Sequence, residues 1–135
     1  MRLYLAGPMT GIPKFNFPRF IEVATKLRAA GHTIVSPNEL DSEAVREAAM
    51  ASPDGSMSGG MVAGETWGQI LARDVRIVAD QCDGVVLLEG WEHSRGACLE
   101  SYVNMLCNRP VYLYEDTHAA LMRRVSHEYV KSRML

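Results

Sequence analysis

The sequence predicts an α/β fold, with a doubly wound parallel sheet of four to five strands and helices on both faces. Short apolar runs alternate along the chain with amphipathic segments of helical period. The first strand, helix and second strand fit within about 35 residues, which is the length of a βαβ unit. The chain has 135 residues, the usual size of one domain, so we treat 1–135 as a single domain.

Each element of the first half follows from a local pattern. RLYLAG (2–7) is an apolar strand that ends at a Gly-Pro turn. From Phe17 onward apolar residues recur at helical spacing until Gly31 stops the helix. TIVSP (33–37) is the second strand, and a short helix over 41–50 follows with Asp41 as its predicted N-cap.

The second half repeats the alternation. A helix over 67–80 precedes the apolar strand DGVVLLEG (83–90), which a turn at its Asp-Gly start introduces. The next helix covers 94–107, with Ser94 as predicted N-cap. RPVYLY (109–114) is the fourth strand, and we predict a closing helix over 118–133.

A Gly- and Ser-rich segment interrupts this alternation at 51–65, ASPDGSMSGGMVAGE. Loops of this length in compact domains are mostly active-site lids or disordered segments. Two interpretations stay open: a mobile loop beside a ligand, or an insertion without a role in binding.

Composition excludes several classes of protein. The net charge is −2, which argues against a nucleic-acid polymer or an anionic membrane surface as the main partner. No apolar stretch approaches a membrane span, and the apolar part of the N-terminus is short for a signal peptide. Cys82, Cys98 and Cys107 form neither a CxxC pair nor a His-rich cluster, so we expect reduced, buried thiols, no metal site and a cytoplasmic location.

The third strand ends in EGWEHSRG, the most polar of the predicted strand ends. In a parallel α/β sheet, ligands bind beyond the carboxyl ends of the strands. Ser94, Arg95 and Gly96 open a helix there, where free N–H groups and the helix dipole attract an anion such as phosphate. The alternative is that Ser94 only caps its helix.

Asp74 interrupts the apolar stripe of its helix. Trp67, Ile70, Leu71, Val75 and Val78 stand at positions i, i+3, i+4, i+8 and i+11, and the aspartate occupies the missing i+7. A buried charge must be paired, protonated or facing a polar cavity. An ion pair with an arginine and a place in a binding site are both consistent with this position.

Glu100 lies off the apolar stripe of its own helix, which favours a solvated side chain near the helix start. Because helical side chains lean toward the N-terminus, the alternative is that it points to the mouth of the sheet.

The chain resembles the nucleoside 2-deoxyribosyltransferase-like superfamily, and most closely its small, often phage-borne branch. Three segments carry the resemblance: YLAGPMTG, LARDVRIVADQCDGVVLLEGWEHSRGACLE and NRPVYLY. It covers nearly the whole chain except 51–65. The specific part is the succession of an Asp, a Ser, a Gly, and a Glu six residues after the Ser. The family's glycine after the glutamate is replaced here by Tyr102.

The resemblance implies a role for each matching residue. Glu100 matches the nucleophile that attacks C1′ of a (deoxy)ribose, and Asp74 matches the aspartate that contacts the sugar and assists proton transfer to the departing base. Ser94 matches the phosphate-binding serine of the deoxynucleoside 5′-monophosphate glycosidase branch. The expected substrate-binding residues are Gly7, Pro8, Met9, Asn16, Trp91, Ser94, Arg95 and Gly96. Trp91 either stacks on the base or covers the sheet edge.

The function implied is cleavage of the N-glycosidic bond of a small-molecule nucleotide or nucleoside, or base transfer, by a homodimer that needs no cofactor. A non-catalytic nucleotide sensor on the same scaffold is the alternative. A serine-hydrolase elbow is disfavoured because Glu92 stands where that motif needs glycine. AGPMTG is not a GxGxxG fingerprint, so dinucleotide redox chemistry is weakly supported.

Overall fold

A computed structural model describes residues 1–56, 66–117 and 120–134 of the chain. The strands are β1 (Arg2–Ala6), β2 (Thr33–Val35), β3 (Gly84–Leu87), β4 (Val111–Tyr114) and β5 (Met122–Val125). The helices are α1 (Phe17–Ala29), α2 (Glu43–Met50), α3 (Trp67–Gln81), α4 (Arg95–Leu106) and α5 (His127–Arg133).

The five strands form one sheet in the order β2-β1-β3-β4-β5. The pairs β1–β2, β1–β3 and β3–β4 are parallel, and β5 runs antiparallel to β4. After β1 the chain places β2 on one side of it, and it later places β3 on the other side. The switch point of the topology therefore lies between β1 and β3, where ligands bind in this fold class.

The two faces of the sheet carry separate cores, because successive residues of a strand point to opposite sides. On one face, Leu3 and Leu5 of β1 pack with Phe20, Val23 and other apolar residues of α1. On the opposite face, Tyr4 and Ala6 join apolar side chains of α3, α4 and α5. The predicted α/β class, with helices on both faces of a mostly parallel sheet, is confirmed.

Helix α2 differs from its prediction at the N-terminus. It begins at Glu43, and the side chain of Ser42 caps it by accepting a hydrogen bond from the N–H of Val45 at 3.3 Å. The predicted cap, Asp41, instead receives a hydrogen bond from Arg73 of α3 at 2.8 Å. The Asp41 carboxylate thus pairs with Arg73 of another helix and does not cap the N–H groups at the start of α2.

The predicted closing helix over 118–133 was wrong over 120–126, and positions 118 and 119 lie outside the described residues. Met122–Val125 form β5, and only His127–Arg133 are helical, with Ser126 as the N-cap. The local pattern favours a helix, but β4 would otherwise be an edge strand with unpaired backbone groups. Pairing with β5 satisfies those groups, and Arg123 contacts Glu115 at 2.6 Å beside it.

The thiols are not uniformly buried as expected. Cys82 is buried, Cys98 is half-buried and Cys107 is exposed at the end of α4. Across the described ranges, no helix combines the length and apolar character that crossing a bilayer requires.

Gly7, directly after β1, leaves no room for a side chain. A Cβ placed there would lie 2.7 Å from the Cβ of Leu88. We expect Gly7→Ala to destabilise the protein by about 1–3 kcal/mol, measured by urea unfolding, since Leu88 is buried and cannot move freely. Gly68→Ala is the control, because its Cβ would meet nothing closer than 3.9 Å and alanine favours the helix. Equal losses in both variants would contradict this account.

Candidate active site

A cavity of about 780 Å³ opens at the carboxyl end of β1, between the loop after that strand and helices α2, α3 and α4. This volume is in the range of small-molecule sites. Its polar end is formed by Asp74, Glu100 and the 93–96 segment. Its remaining walls are mostly apolar and include Met9, Phe15, Phe17, Trp67, Ile70 and Leu71.

Glu100 is the most unusual residue of the cavity. Its side chain lines the cavity but is only 6% exposed, and the Tyr4 hydroxyl donates a hydrogen bond to its Oε2 at 2.6 Å. The prediction of a solvated Glu100 side chain, made from its place off the apolar stripe of the helix, was therefore wrong. The partner comes from a strand 96 residues away, so nothing in the pattern of α4 itself indicates it.

Burial makes Glu100 a weak acid. Desolvation, reinforced by the nearby Asp74 carboxylate, raises the pKa of Glu100 to about 8, although Tyr4 and Arg73 act in the opposite direction. Burial and the two carboxylates hold the pKa of Tyr4 well above its ordinary value. Tyr4 therefore stays protonated and acts as a donor to Glu100.

Asp74 agrees with both interpretations of its position, because it pairs with an arginine and also belongs to the cavity wall. Its Oδ1 accepts a hydrogen bond from Arg73 Nε at 2.9 Å and lies 2.8 Å from Arg73 Nη2, and its side chain also lines the cavity beside Glu100. Desolvation raises the pKa of Asp74 to about 6, against the opposing effect of Arg73. The Tyr4 hydroxyl also interacts with this carboxylate, so one tyrosine faces both acids.

The Asp74 position also explains the apolar stripe of α3. Trp67, Ile70 and Leu71, in the first part of the stripe, line the cavity, whereas Val78 packs in the core against the sheet. The aspartate lies where the helix passes from cavity wall to core. The apolar stripe of α3 therefore lines the cavity with its first part and packs against the sheet further along the helix.

The turn before α4 has the predicted cap. Ser94 Oγ accepts a hydrogen bond from the N–H of Ala97 at 3.2 Å, and the same residue lines the cavity together with Arg95 and Gly96. Capping uses Ser94 as an acceptor, so its O–H proton can still be donated to a ligand. His93 lines the cavity as well, although no sequence pattern indicates it.

The loop after β1 supplies the opposite wall. Gly7, Pro8, Met9 and Thr10 line the cavity. Asn16 does not line it; its side-chain amide donates to the Pro8 carbonyl at 2.9 Å and thereby holds the loop. Three consecutive residues, Lys14 to Asn16, have positive φ, an arrangement that is costly for residues other than glycine, and it places Phe15 in the cavity wall.

The base-stacking role left open for Trp91 was wrong, and the alternative of packing against the sheet agrees with the structure. Trp91 is 3% exposed and lies in the core among apolar side chains, away from the cavity. It follows β3 in a short turn whose geometry directs the indole inward. The tryptophan that borders the cavity is Trp67, which is 48% exposed at the start of α3.

The described part of the 51–65 segment lies beside the site. Ser52 and Ser56 line the cavity. The carbonyls of Ser52 and Gly55 accept hydrogen bonds from Lys14 and Gly11 at 2.8 and 2.9 Å, which tie the segment to the loop after β1. Residues 57–65 lie outside the described residues, so the prediction of a mobile lid is not tested there. Within 1–56, 66–117 and 120–134, no group of acidic, His or Cys side chains is arranged to hold a metal ion.

A family model described as a domain of unknown function, DUF4406, matches residues 1–113. The match includes every residue that lines the cavity and ends before β5 and α5. No curated protein matches the chain.

Proposed function

Because the chain belongs to the DUF4406 family, whose description assigns no activity, we propose a function from the cavity itself. The protein cleaves the N-glycosidic bond of a (deoxy)nucleoside 5′-monophosphate through a covalent glycosyl-glutamate, with Glu100 as the nucleophile and Asp74 as the acid. One observation carries the proposal: two buried carboxyl groups from different helices line the same cavity, and one tyrosine faces both.

The proposed reaction has two balanced steps. Glu100 attacks C1′ of the sugar, the C1′–N bond breaks, and the base nitrogen takes the electron pair together with the proton of Asp74. Water then attacks C1′ of the ester and gives a proton to the Asp74 carboxylate, which releases Glu100 as a carboxylate. The products are the free base and the sugar 5-phosphate. A second base in place of water would give transfer.

The two raised pKa values fit a pair that shares one proton near neutral pH. Desolvation raises both pKa values, and repulsion between the two carboxylates favours one proton on the pair. Attack requires that this proton is on Asp74 and the charge on Glu100. The hydrogen bond from Tyr4 and the positive charge that develops at C1′ both favour that charged form.

The 94–96 turn supports a monophosphate over a free nucleoside. The start of α4 offers free backbone N–H groups, the Ser94 hydroxyl and the exposed Arg95 side chain beside the same cavity. A phosphate held there would fix the sugar between this turn and the two acids. The apolar wall that includes Phe15 and Trp67 suits the flat base.

The proposal is tested by incubating the protein with ribo- and 2′-deoxyribonucleoside 5′-monophosphates and the matching nucleosides. We expect chromatography to show free base from at least one monophosphate and little from its nucleoside. Intact-mass and peptide analysis of the quenched reaction should find a sugar-phosphate adduct on the peptide containing Glu100. Adding a second free base distinguishes hydrolysis from transfer. Failure of the folded protein to release base from every nucleotide would contradict the proposal.

A nucleotide sensor is a second candidate, and the raised pKa of Glu100 favours it. A glutamic acid that is protonated at neutral pH can donate a hydrogen bond to a ribose oxygen instead of attacking carbon. Calorimetric binding of a monophosphate that is recovered intact after long incubation would support the sensor over the glycosidase.

A further inference from the structure

Arg73 lies next to the proposed acid, on α3, and makes contacts in two directions. Its Nη1 donates to Asp41 Oδ1 at 2.8 Å, and its Nη2 and Nε both lie within 2.9 Å of Asp74 Oδ1. The two carboxylates are nearly covered, with side chains 9% and 10% exposed. Buried, multiply hydrogen-bonded pairs of this kind hold their geometry, unlike exposed ion pairs.

The bridge joins parts of the chain that are distant in sequence. Asp41 precedes α2, and Asp74 is in the middle of α3; both line the cavity. Arg73 therefore holds one side of the cavity together and fixes which oxygen of Asp74 is engaged.

We infer that Arg73 is a positioning residue, which orients the Asp74 carboxyl group through the Asp41–Arg73–Asp74 bridge. The inference deepens the proposed function, because it concerns the acid of the same site. The groups that face Asp74 are Arg73 on its own helix, Asp41 before α2, Tyr4 of β1 and Glu100 of α4. Arg73 supplies the positive charge in this set.

The test uses the ligand-free protein, so it does not depend on any activity. Carboxyl carbons of Asp and Glu are labelled with ¹³C, and the Asp74 signal is assigned with Asp74→Asn and followed by NMR from pH 4 to 9. We expect Arg73→Met to raise the titration midpoint of Asp74 by about one pH unit or more, since a neighbouring arginine lowers the pKa of an aspartate. Arg73→Lys keeps the charge but loses the two-nitrogen contact, and should give an intermediate midpoint.

Arg76→Met is the matched control. Arg76 lies three residues further along α3, its side chain is 83% exposed, and its contact with Asp80 is long at 3.7 Å. Its replacement should leave the Asp74 midpoint unchanged. If Arg73→Met does not fold, Arg73→Lys decides the question. An Asp74 midpoint that is the same in the parent and the foldable Arg73 variants would overturn the inference, whether or not any nucleotide is cleaved.

If base release is found, the same variants give a second readout. Loss of Arg73 should lower kcat more than it raises KM and move the acidic limb of the pH–rate profile upward, in step with the NMR midpoint. A purely structural role would lower thermal stability without moving that limb, and this outcome would also count against the inference.

Discussion

Glu100→Gln is expected to lower kcat/KM for base release by on the order of a thousandfold or more, because an amide oxygen cannot form the glycosyl ester. The change is nearly isosteric, and the amide oxygen can still accept the hydrogen bond from Tyr4. Nucleotide affinity should therefore survive, and the sugar-phosphate adduct should disappear from the mass spectrum. Steady-state kinetics and calorimetry with the same monophosphate measure the two quantities.

Glu89→Gln is the control for this experiment. Glu89 follows β3 at the same edge of the sheet, but its side chain is 62% exposed and pairs with Arg19 outside the cavity. The same chemical change there should leave turnover unaltered. Retention of parental turnover by Glu100→Gln would exclude Glu100 as the nucleophile, and continued base release with an adduct elsewhere would reassign that role.

The stability of the protein is expected to fall as pH rises from about 5 to about 8, and Glu100→Gln should remove most of this fall. The pKa of Glu100 is about 8 in the folded protein and 4.5 for an ordinary glutamate, so the folded state binds more protons than the unfolded state in this window. Stability is then highest below the ordinary pKa and is lost through the folded one. Asp74, raised to about 6, adds in the same direction at the lower end of the window.

The expected size of the effect is large. The shift of Glu100 sets an upper limit of about 5 kcal/mol, and relaxation of the site reduces this to ~2–4 kcal/mol between the two ends of the window. Urea unfolding of the parent, Glu100→Gln and Glu89→Gln at intervals from pH 5 to 8.5 measures it. Glu100→Gln should be more stable than the parent at pH 8 and nearly equal to it at pH 5. Parallel pH profiles for the parent and Glu100→Gln would show that the glutamate is not desolvated as described.

These two experiments separate the environment of Glu100 from its chemistry. A protein that shows the stability effect and no base release would have the buried acid of a nucleotide sensor. A protein that shows both would use a destabilising group as its nucleophile, as expected where function is placed at the cost of stability.

The sequence allowed most of the sheet to be predicted, because apolar strand runs and helical periods are local signals. The same patterns placed the 94–96 turn at the carboxyl edge of the sheet and marked Asp74 as a break in an apolar stripe, and both line the cavity in the structure. Local signals failed where a distant partner decided the outcome. Asp41 was predicted as a helix cap and contacts Arg73 instead, and Trp91 was predicted as a ligand contact and lies in the core.

By itself, the sequence determined the order of strands and helices as far as β4, the parallel core of the sheet, and the sheet edge that carries the polar residues. Only the tertiary structure decided that Met122–Val125 pair with β4, because an open strand edge outweighs a local helical pattern. Only the tertiary structure buried Glu100, since the hydroxyl that donates a hydrogen bond to it belongs to Tyr4 on β1 and the neighbouring charge to Asp74 on α3. Periodicity describes one helix at a time, whereas the acidity of a carboxyl group depends on everything that surrounds it in space.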